Sequence, residues 1–354
     1  MADYYEIDFL KVGTTGSGDA ICVRYELNGQ THIHVVDGGY VNTGQDVVDH
    51  LNTYYGTTDV DHVVVTHPDG DHANGLRKVL EECKVGTLWM NRPWEYADVL
   101  VDRFDRYTNV DNLRKKLREV FPNLAALESL AVERDIPIVE AFQGERIGAF
   151  TVLGPTFETF LDKVVECERT PTAAKELSLA EQLTAKLSDA IALIKSVWGD
   201  ENFPDGDTQP RNAMSVVQYA RLSGHDILLT GDTGRAGLDE AADYAPMAGL
   251  VLPGVDKFQV PHHGSRRNVS TETLDRWLGP KGFEGQSTSS TAIISASEED
   301  KDHPRKVVVR ALIHRGANVI STEGMSIRTS GGAVPVRPGW VPVSGLDYPS
   351  DQEE

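Results

Sequence analysis

The sequence predicts a layered α/β fold carrying a helical insertion, and three observations predict it. The first third alternates β-branched apolar runs with a stretch of helical spacing. The middle carries apolar residues on helical faces, and the last third returns to short apolar strands. Most of those late strands end in a charged or imidazole residue, so a single edge of the fold would collect them.

Taken in order, Tyr5–Val12, Ala20–Leu27 and His32–Asp37 read as strands, the third ending in Gly38-Gly39. His62–Thr66 (HVVVT) is a β-branched run of the kind buried on both faces of a sheet. Asn74–Cys83 has helical spacing, and Thr87–Asn91 is the next strand. Val110, Leu113, Leu117, Val120 and Phe121 then share one helical face. Ala149–Leu153, followed by Gly-Pro, is a short strand. Leu183, Leu187, Ile191 and Ile194 share a second helical face behind a Ser178-x-x-Glu181 capping box. Two helical insertions, about 92–135 and 157–208, follow from these patterns, the second closed by Gly199 and the polar loop DENFPDGDTQP. Strands resume at Ser215–Tyr219, Asp226–Thr230, Phe258–Pro261, Thr291–Ser295 and Asn318–Ser321. One domain over 1–338 is expected, with 339–354 as a flexible tail.

Composition narrows the function. In 354 residues, 54 Asp and Glu outweigh 34 Lys and Arg, a net charge of −20 that repels nucleic-acid and membrane surfaces alike. A nucleic-acid substrate would therefore need a local basic patch or bound cations. The three cysteines, Cys22, Cys83 and Cys167, form no CxxC pair and suggest a reducing compartment. No apolar run reaches membrane-spanning length, and the opening MADYYEIDFLKVG does not read as a leader. The expectation is a cytoplasmic protein without a membrane partner.

The strongest chemical signal is Thr66-His67-Pro68-Asp69-Gly70-Asp71-His72. It places four metal-ligand side chains in six residues, between an apolar strand and a helix. A polar surface turn is the bland alternative, and the clustering disfavours it. Further segments end strands in the same way: LLTGD at Asp232, VPHHGS at His262 and His263, and a short acidic loop leading to His303-Pro304. Alone, each has a structural explanation, a Gly-Asp turn or a core histidine. Together with the first loop they describe ligands gathered along one edge of a sandwich.

These motifs resemble the metallo-β-lactamase-fold hydrolases, in which a His-x-His-x-Asp-His loop and later His, Asp and His residues build a one- or two-metal site. Here Asp69 stands for the second His, and Asn212 falls where the next His is usual. Asp232 matches the bridging Asp, and His263 the final His. THPDGDH, Gly18-Asp19-Ala20, VVDGG, RNAMSVV, LLTGD, VPHHGS and the terminal HP are similar to the hydrolase domain of the ComEC competence DNA-uptake proteins. That resemblance spans roughly 5–91, 149–155 and 210–330, leaves the helical middle unmatched, and suggests a stand-alone relative.

The resemblance implies a four-layer αββα sandwich of the metallo-β-lactamase fold and two divalent ions, Zn²⁺ or Mn²⁺. His67 and Asp69 would hold one ion, Asp71, His72 and His263 the other, with Asp232 bridging. Replacing imidazoles by Asp69 and Asn212 hardens the first site and favours Mn²⁺ or a mixed pair. Asp71 would orient the attacking water; His262 and His303 would bind phosphate or protonate the leaving group. Asp19 and Asp37 would support the ligands. Arg266-Arg267 and Arg305-Lys306 could clamp phosphates, or be solvated surface charges.

The function this implies is phosphodiesterase or nuclease action on DNA or a nucleotide. The alternatives are hydrolysis of a thioester, lactone or β-lactam, and a non-catalytic scaffold or sensor of the same fold. The insertions would cap the site, form a homodimer contact, or simply pack on the sandwich's outer face. The resemblance also leaves room for partner proteins in a bacterial defence or DNA-processing system.

Overall fold

The computed structural model describes residues 4–13, 15–104, 106–169 and 193–354. Its strands, in chain order, are β1 Tyr4–Phe9, β2 Ala20–Leu27, β3 Gln30–Gly38, β4 Asp59–Val64, β5 Lys84–Trp89, β6 Ile138–Val139, β7 Arg146–Ile147 and β8 Phe150–Gly154. They continue as β9 Leu193–Lys195, β10 Val217–Leu222, β11 His225–Leu229, β12 Lys257–Gln259, β13 Thr291–Ile294, β14 Asn318–Ser321, β15 Ile327–Gly332 and β16 Asp351–Glu353. Two seven-stranded sheets result, ordered β15-β1-β2-β3-β4-β5-β6 and β14-β13-β12-β11-β10-β8-β7.

Three buried apolar clusters define the layers. Tyr5, Ile7, Val23, Val36, Val64, Phe150, Ile227 and Ile293 fill the space between the sheets. The outer face of the first sheet is covered by α1 Thr43–His50, α2 Gly70–Ala73, α3 Leu76–Glu82, α4 Ala97–Leu100, α5 Val110–Val120, α6 Pro122–Glu133 and α7 Phe157–Arg169. After the short α8 Pro210–Ala213, the second sheet is covered by α9 Arg235–Tyr244, α10 Thr271–Leu278 and α11 Lys306–His314. The order is helix, sheet, sheet, helix, as expected.

Strand direction positions the site. β3, β4, β5 and β6 run parallel in one sheet, and β11, β12, β13 and β14 run parallel in the other. Their C-terminal ends lie at one edge, where open α/β sheets gather ligands. The sheets are joined there across the sandwich: Val216 N–H donates to Thr66 O at 3.0 Å. Gln259 Nε2 donates to Asp19 Oδ2 at 2.9 Å. Gly75 is needed for the metal loop to reach β3, because a Cβ there would lie 1.8 Å from Gly38 O.

Several expectations are corrected. Segment 339–354 is not a free tail. β16 pairs with β9, and Gln352 and Glu353 are buried. The Glu353 carboxylate accepts the Lys306 and Val307 N–H groups at 2.9 and 3.0 Å, filling the N-terminus of α11. Just upstream, Arg337 donates to Asp8 at 2.6 and 2.7 Å and to Glu6 at 2.8 Å inside the fold. β15 was not anticipated, because its polar IRTSGG lacks an apolar pattern and gains its place by pairing with β1. The expected 157–208 insertion is helical only through α7 among the described residues, and Ile194 belongs to β9. The helix expected around Leu183, Leu187 and Ile191, with its capping box, lies outside the described residues.

The apolar faces of α5, α6 and α7 join the cluster on the first sheet's outer face, so these helices follow the outer-packing alternative. They approach the site at the α5–α6 corner, where Asn123 Nδ2 donates to Pro68 O at 3.0 Å, and through Leu124 and Phe160, which line a small pocket with Thr66, His67 and Pro68. The docking of segment 351–354 makes a direct prediction. Glu353→Ala should lower stability by about 1 kcal/mol, the usual cost of a lost N-terminal cap. A urea-unfolding midpoint equal to wild type would show that the contact contributes nothing.

Candidate metal centre

The site is organised around Asp37, at the end of β3. Its carboxylate accepts the Thr66 N–H at 2.9 Å and the Thr66 hydroxyl at 2.5 Å. It also accepts His72 Nδ1–H at 2.8 Å. Because the Thr66 proton goes to Asp37, Thr66 Oγ1 is free to accept His67 Nδ1–H, 3.0 Å away. One carboxylate therefore fixes two imidazoles, and turns the Nε2 of each toward a common centre. Asp37 holds this position at φ +57°, in the left-handed region.

Asp232, in the loop after β11, faces that centre with both oxygens. Oδ1 lies 3.4 Å from His72 Nε2, and Oδ2 lies 3.7 Å from His67 Nε2. His263 Nε2 is 3.9 Å from Asp232 Oδ2 and 3.7 Å from Asp71 Oδ2. Donor atoms of Asp71, His72 and His263 all lie within 4.8 Å of one another. Two ligands at about 2.0–2.2 Å from one ion sit roughly 3–4 Å apart, so these separations fit shared ions.

The polar bookkeeping points the same way. Nε2 of His67, His72 and His263 and Oδ1 of Asp232 are buried without a hydrogen-bond partner. Buried polar atoms are rarely left so, and here they converge on one spot. The donor set of imidazoles and carboxylates fits a divalent ion.

Electrostatics describes the metal-free state. Burial alone would strip His72 of its proton, but Asp232 and Asp71 outweigh it and hold the imidazolium well above the usual range. His263 is buried too, yet Asp232 and Asp71 raise it to about 9. Burial would raise Asp71, but His72 and His263 bring it down to about 2. Protons thus occupy the positions that an ion would take.

The structure brings together His67, Asp71, His72, Asp232, His262 and His263. Asp69 sits at the rim, 4.0 Å from His67 Nε2 and 3.6 Å from Arg211 Nη1. Asp19 is buried beside the centre, 3.8 Å from His72 Nδ1. Asn212, expected as a weak ligand or a supporting residue, lies against His262. Its amide donates to Thr208 Oγ1 at 3.3 Å and lies 3.2 Å from the His262 ring. His303 stands at the rim with its ring centroid 5.6 Å from that of His262, its Nδ1 3.2 Å from Asp300 Oδ2.

The expected phosphate clamp is largely engaged elsewhere. Arg266 Nη1 donates to Glu354 O at 3.0 Å, and Arg305 pairs with Asp302 at 3.0 Å. Lys306 pairs with Asp351 at 2.8 Å, which leaves Arg267 exposed to solvent. Sequence reasoning missed Thr66, Gln259, Asn268 and Asp300 as supporting residues. Only Asp300 carried a signal, as part of the acidic loop before His303.

Residues 14–146 match the family model of the metallo-beta-lactamase superfamily, a span that contains the whole metal loop. The fold is the metallo-β-lactamase fold. Solved structures with a likeness to the chain include the hydrolase AbOPH of the beta lactamase superfamily, at 12% identity and TM-score 0.32, over 65% of this chain and 71% of that one. The metallo-beta-lactamase fold protein YhfI from Bacillus subtilis has 9% identity and TM-score 0.40, over 93% and 100%. CmlA, a diiron beta-hydroxylase from Streptomyces venezuelae, has 13% identity and TM-score 0.41, over 92% of this chain but 53% of its own length. Among curated proteins none matches the chain.

Two predictions follow from a metallo-β-lactamase-fold site whose ligands carry protons when metal-free. Mn²⁺ uptake at pH 7 should release about two protons per chain, and apparent affinity should climb with pH up to about 9. Calorimetry in buffers of different ionisation enthalpy measures the release; none would contradict the protonated assignment. Asp37→Asn should weaken metal affinity by about 10–100-fold, the usual cost of losing a carboxylate that orients ligand imidazoles. Equilibrium dialysis against Mn²⁺ checks this, and unchanged affinity would remove Asp37 from its role.

Proposed function

We propose that the chain is a divalent-metal-dependent phosphodiesterase acting on DNA or a nucleotide. The observation that carries this is the convergence of Asp71, His72 and His263 on an Asp232 whose two oxygens face different imidazoles. In this reading Asp71, His72 and His263 hold one ion, His67 and Asp69 the other, and Asp232 bridges. When bound, two divalent ions would polarise a phosphoryl oxygen and bring the pKa of a water at the site toward neutrality.

The protein's own groups do the rest. Asp37 and Thr66 hold the imidazoles as acceptors, so that substrate meets a preset centre. Asp71, at the mouth of the centre, orients the attacking water. His303 is oriented by Asp300, which also accepts the Ser17 hydroxyl at 2.7 Å. In its imidazolium form, with Nδ1–H given to Asp300, His303 would carry a second proton on Nε2 that it could give to a departing alkoxide.

The chain's net charge of −20 and the paired rim cations argue for a short substrate over a long duplex. The similarity to the ComEC hydrolase domain supports the phosphodiesterase class.

Turnover of bis-p-nitrophenyl phosphate with Mn²⁺, set against p-nitrophenyl phosphate, a thioester, a lactone and a β-lactam, tests the reading. The diester should be the preferred substrate, and Asp71→Ala or His72→Ala should abolish turnover in a folded protein. Faster carbonyl hydrolysis would move the chain to the thioester or lactone class, and no turnover at all would favour a scaffold. His303→Ala should lower kcat by about 10²–10⁴-fold for an alkyl leaving group, but little for p-nitrophenolate, which needs no proton. An equal loss for both would deny His303 the proton-donor role.

A further inference from the structure

We infer that His262 is a metal ligand, completing the ion site at the His67 end of the centre, and that Asn212 is not one. This deepens the two-ion reading above and rests on it. Asp232 Oδ2 has the Nε2 atoms of both His67 and His262 at 3.7 Å. His72 and His263 already belong with Asp71 to the close trio. What remains is a chain of donors, Asp69, His67, Asp232 and His262, with successive separations of 4.0, 3.7 and 3.7 Å, sharing Asp232 Oδ2 with His263 at 3.9 Å. This second group is more open than the trio, as suits donors that draw in when an ion binds.

The hydrogen bonds around His262 prepare it for that role. Asn268 Nδ2 donates to the carbonyls of Asp232 and Thr233, at 2.9 and 3.0 Å, which fixes the direction of the amide. Its Oδ1 then faces His262 Nδ1 at 3.0 Å and accepts that proton. A neutral imidazole has one N–H, so Nε2 carries no proton and is an acceptor, with Asp232 Oδ2 at 3.7 Å and the Asn212 amide nitrogen at 3.4 Å. Thr66 does the same for His67.

The backbone agrees. His262 and His263 are consecutive non-glycine residues at φ +50° and +57°. Such positions are sparsely populated by L-residues and cluster at functional sites. Turning both rings toward one carboxylate gives this conformation a purpose that a single ligand at His263 would not require. Asn212 turns its amide nitrogen to Thr208 Oγ1 at 3.3 Å and to the His262 ring, 3.2 Å from Nδ1 and 3.4 Å from Nε2, so it presents an N–H donor there and not a ligating oxygen.

The test is a count of bound ions. Metal-stripped protein is reconstituted with Mn²⁺, and bound metal is measured by titration with electron paramagnetic resonance detection and by elemental analysis. Wild type and Asn212→Ala should bind two ions, and His262→Ala one, with the second site weakened at least 10-fold and the fold unchanged by circular dichroism. His262→Cys loaded with Co²⁺ should add a thiolate-to-cobalt absorption band in the near ultraviolet, a readout independent of turnover and of how well the alanine variant folds. Two ions in His262→Ala at wild-type affinity, or no such band in a Co²⁺-loaded His262→Cys, would overturn the assignment. Wild type binding no ion would instead sink the two-ion reading itself.

Discussion

The candidate metal centre depends on one buried carboxylate. Asp37 accepts hydrogen bonds from the backbone and hydroxyl of Thr66 and from His72, and through Thr66 it also governs His67. An imidazole can ligate only through a nitrogen without a proton. Placing the acceptor behind Nδ1 holds the proton there, so Nε2 is the nitrogen that would give up its proton to an ion. The same device recurs at His262, where an amide oxygen replaces the carboxylate.

The sandwich exists, in functional terms, to bring these devices to one edge. Parallel strands in both sheets end there, so Asp37 and His67 come from one sheet and Asp232, His262 and His263 from the other. The sheets are then locked by Gln259 on Asp19 and by the backbone bond from Val216 to Thr66. The close approach of Gly75 to Gly38 lets the metal loop sit against β3. Left-handed backbone at Asp37, His262 and His263 costs about 1–3 kcal/mol at each position. The large buried clusters on both sides of each sheet can sustain that cost.

The metal loop was legible because it combines two independent patterns, a β-branched strand and alternating ligand residues broken by Pro68 and Gly70. Asp232 and His263 were legible because each follows an apolar strand. β15 and the β9–β16 pair were not, because their sequences are polar and their places are set by partners far away in the chain. Asn268 could not be found because it acts by a hydrogen bond that only the fold creates, whereas Asp300 carried a signal in the acidic loop just before His303. Asn212 was legible as a weak ligand or a supporting residue from its place in the order of motifs, and in the fold its amide meets Thr208 and the His262 ring.

Anomalous diffraction from crystals grown with Mn²⁺ tests the central claim most directly. The account predicts two peaks about 3.5–4 Å apart, flanking Asp232, one among Asp71, His72 and His263 and the other between His67, Asp69 and His262. Peaks confined to surface carboxylates, or none within ligand distance of Asp232, would contradict it.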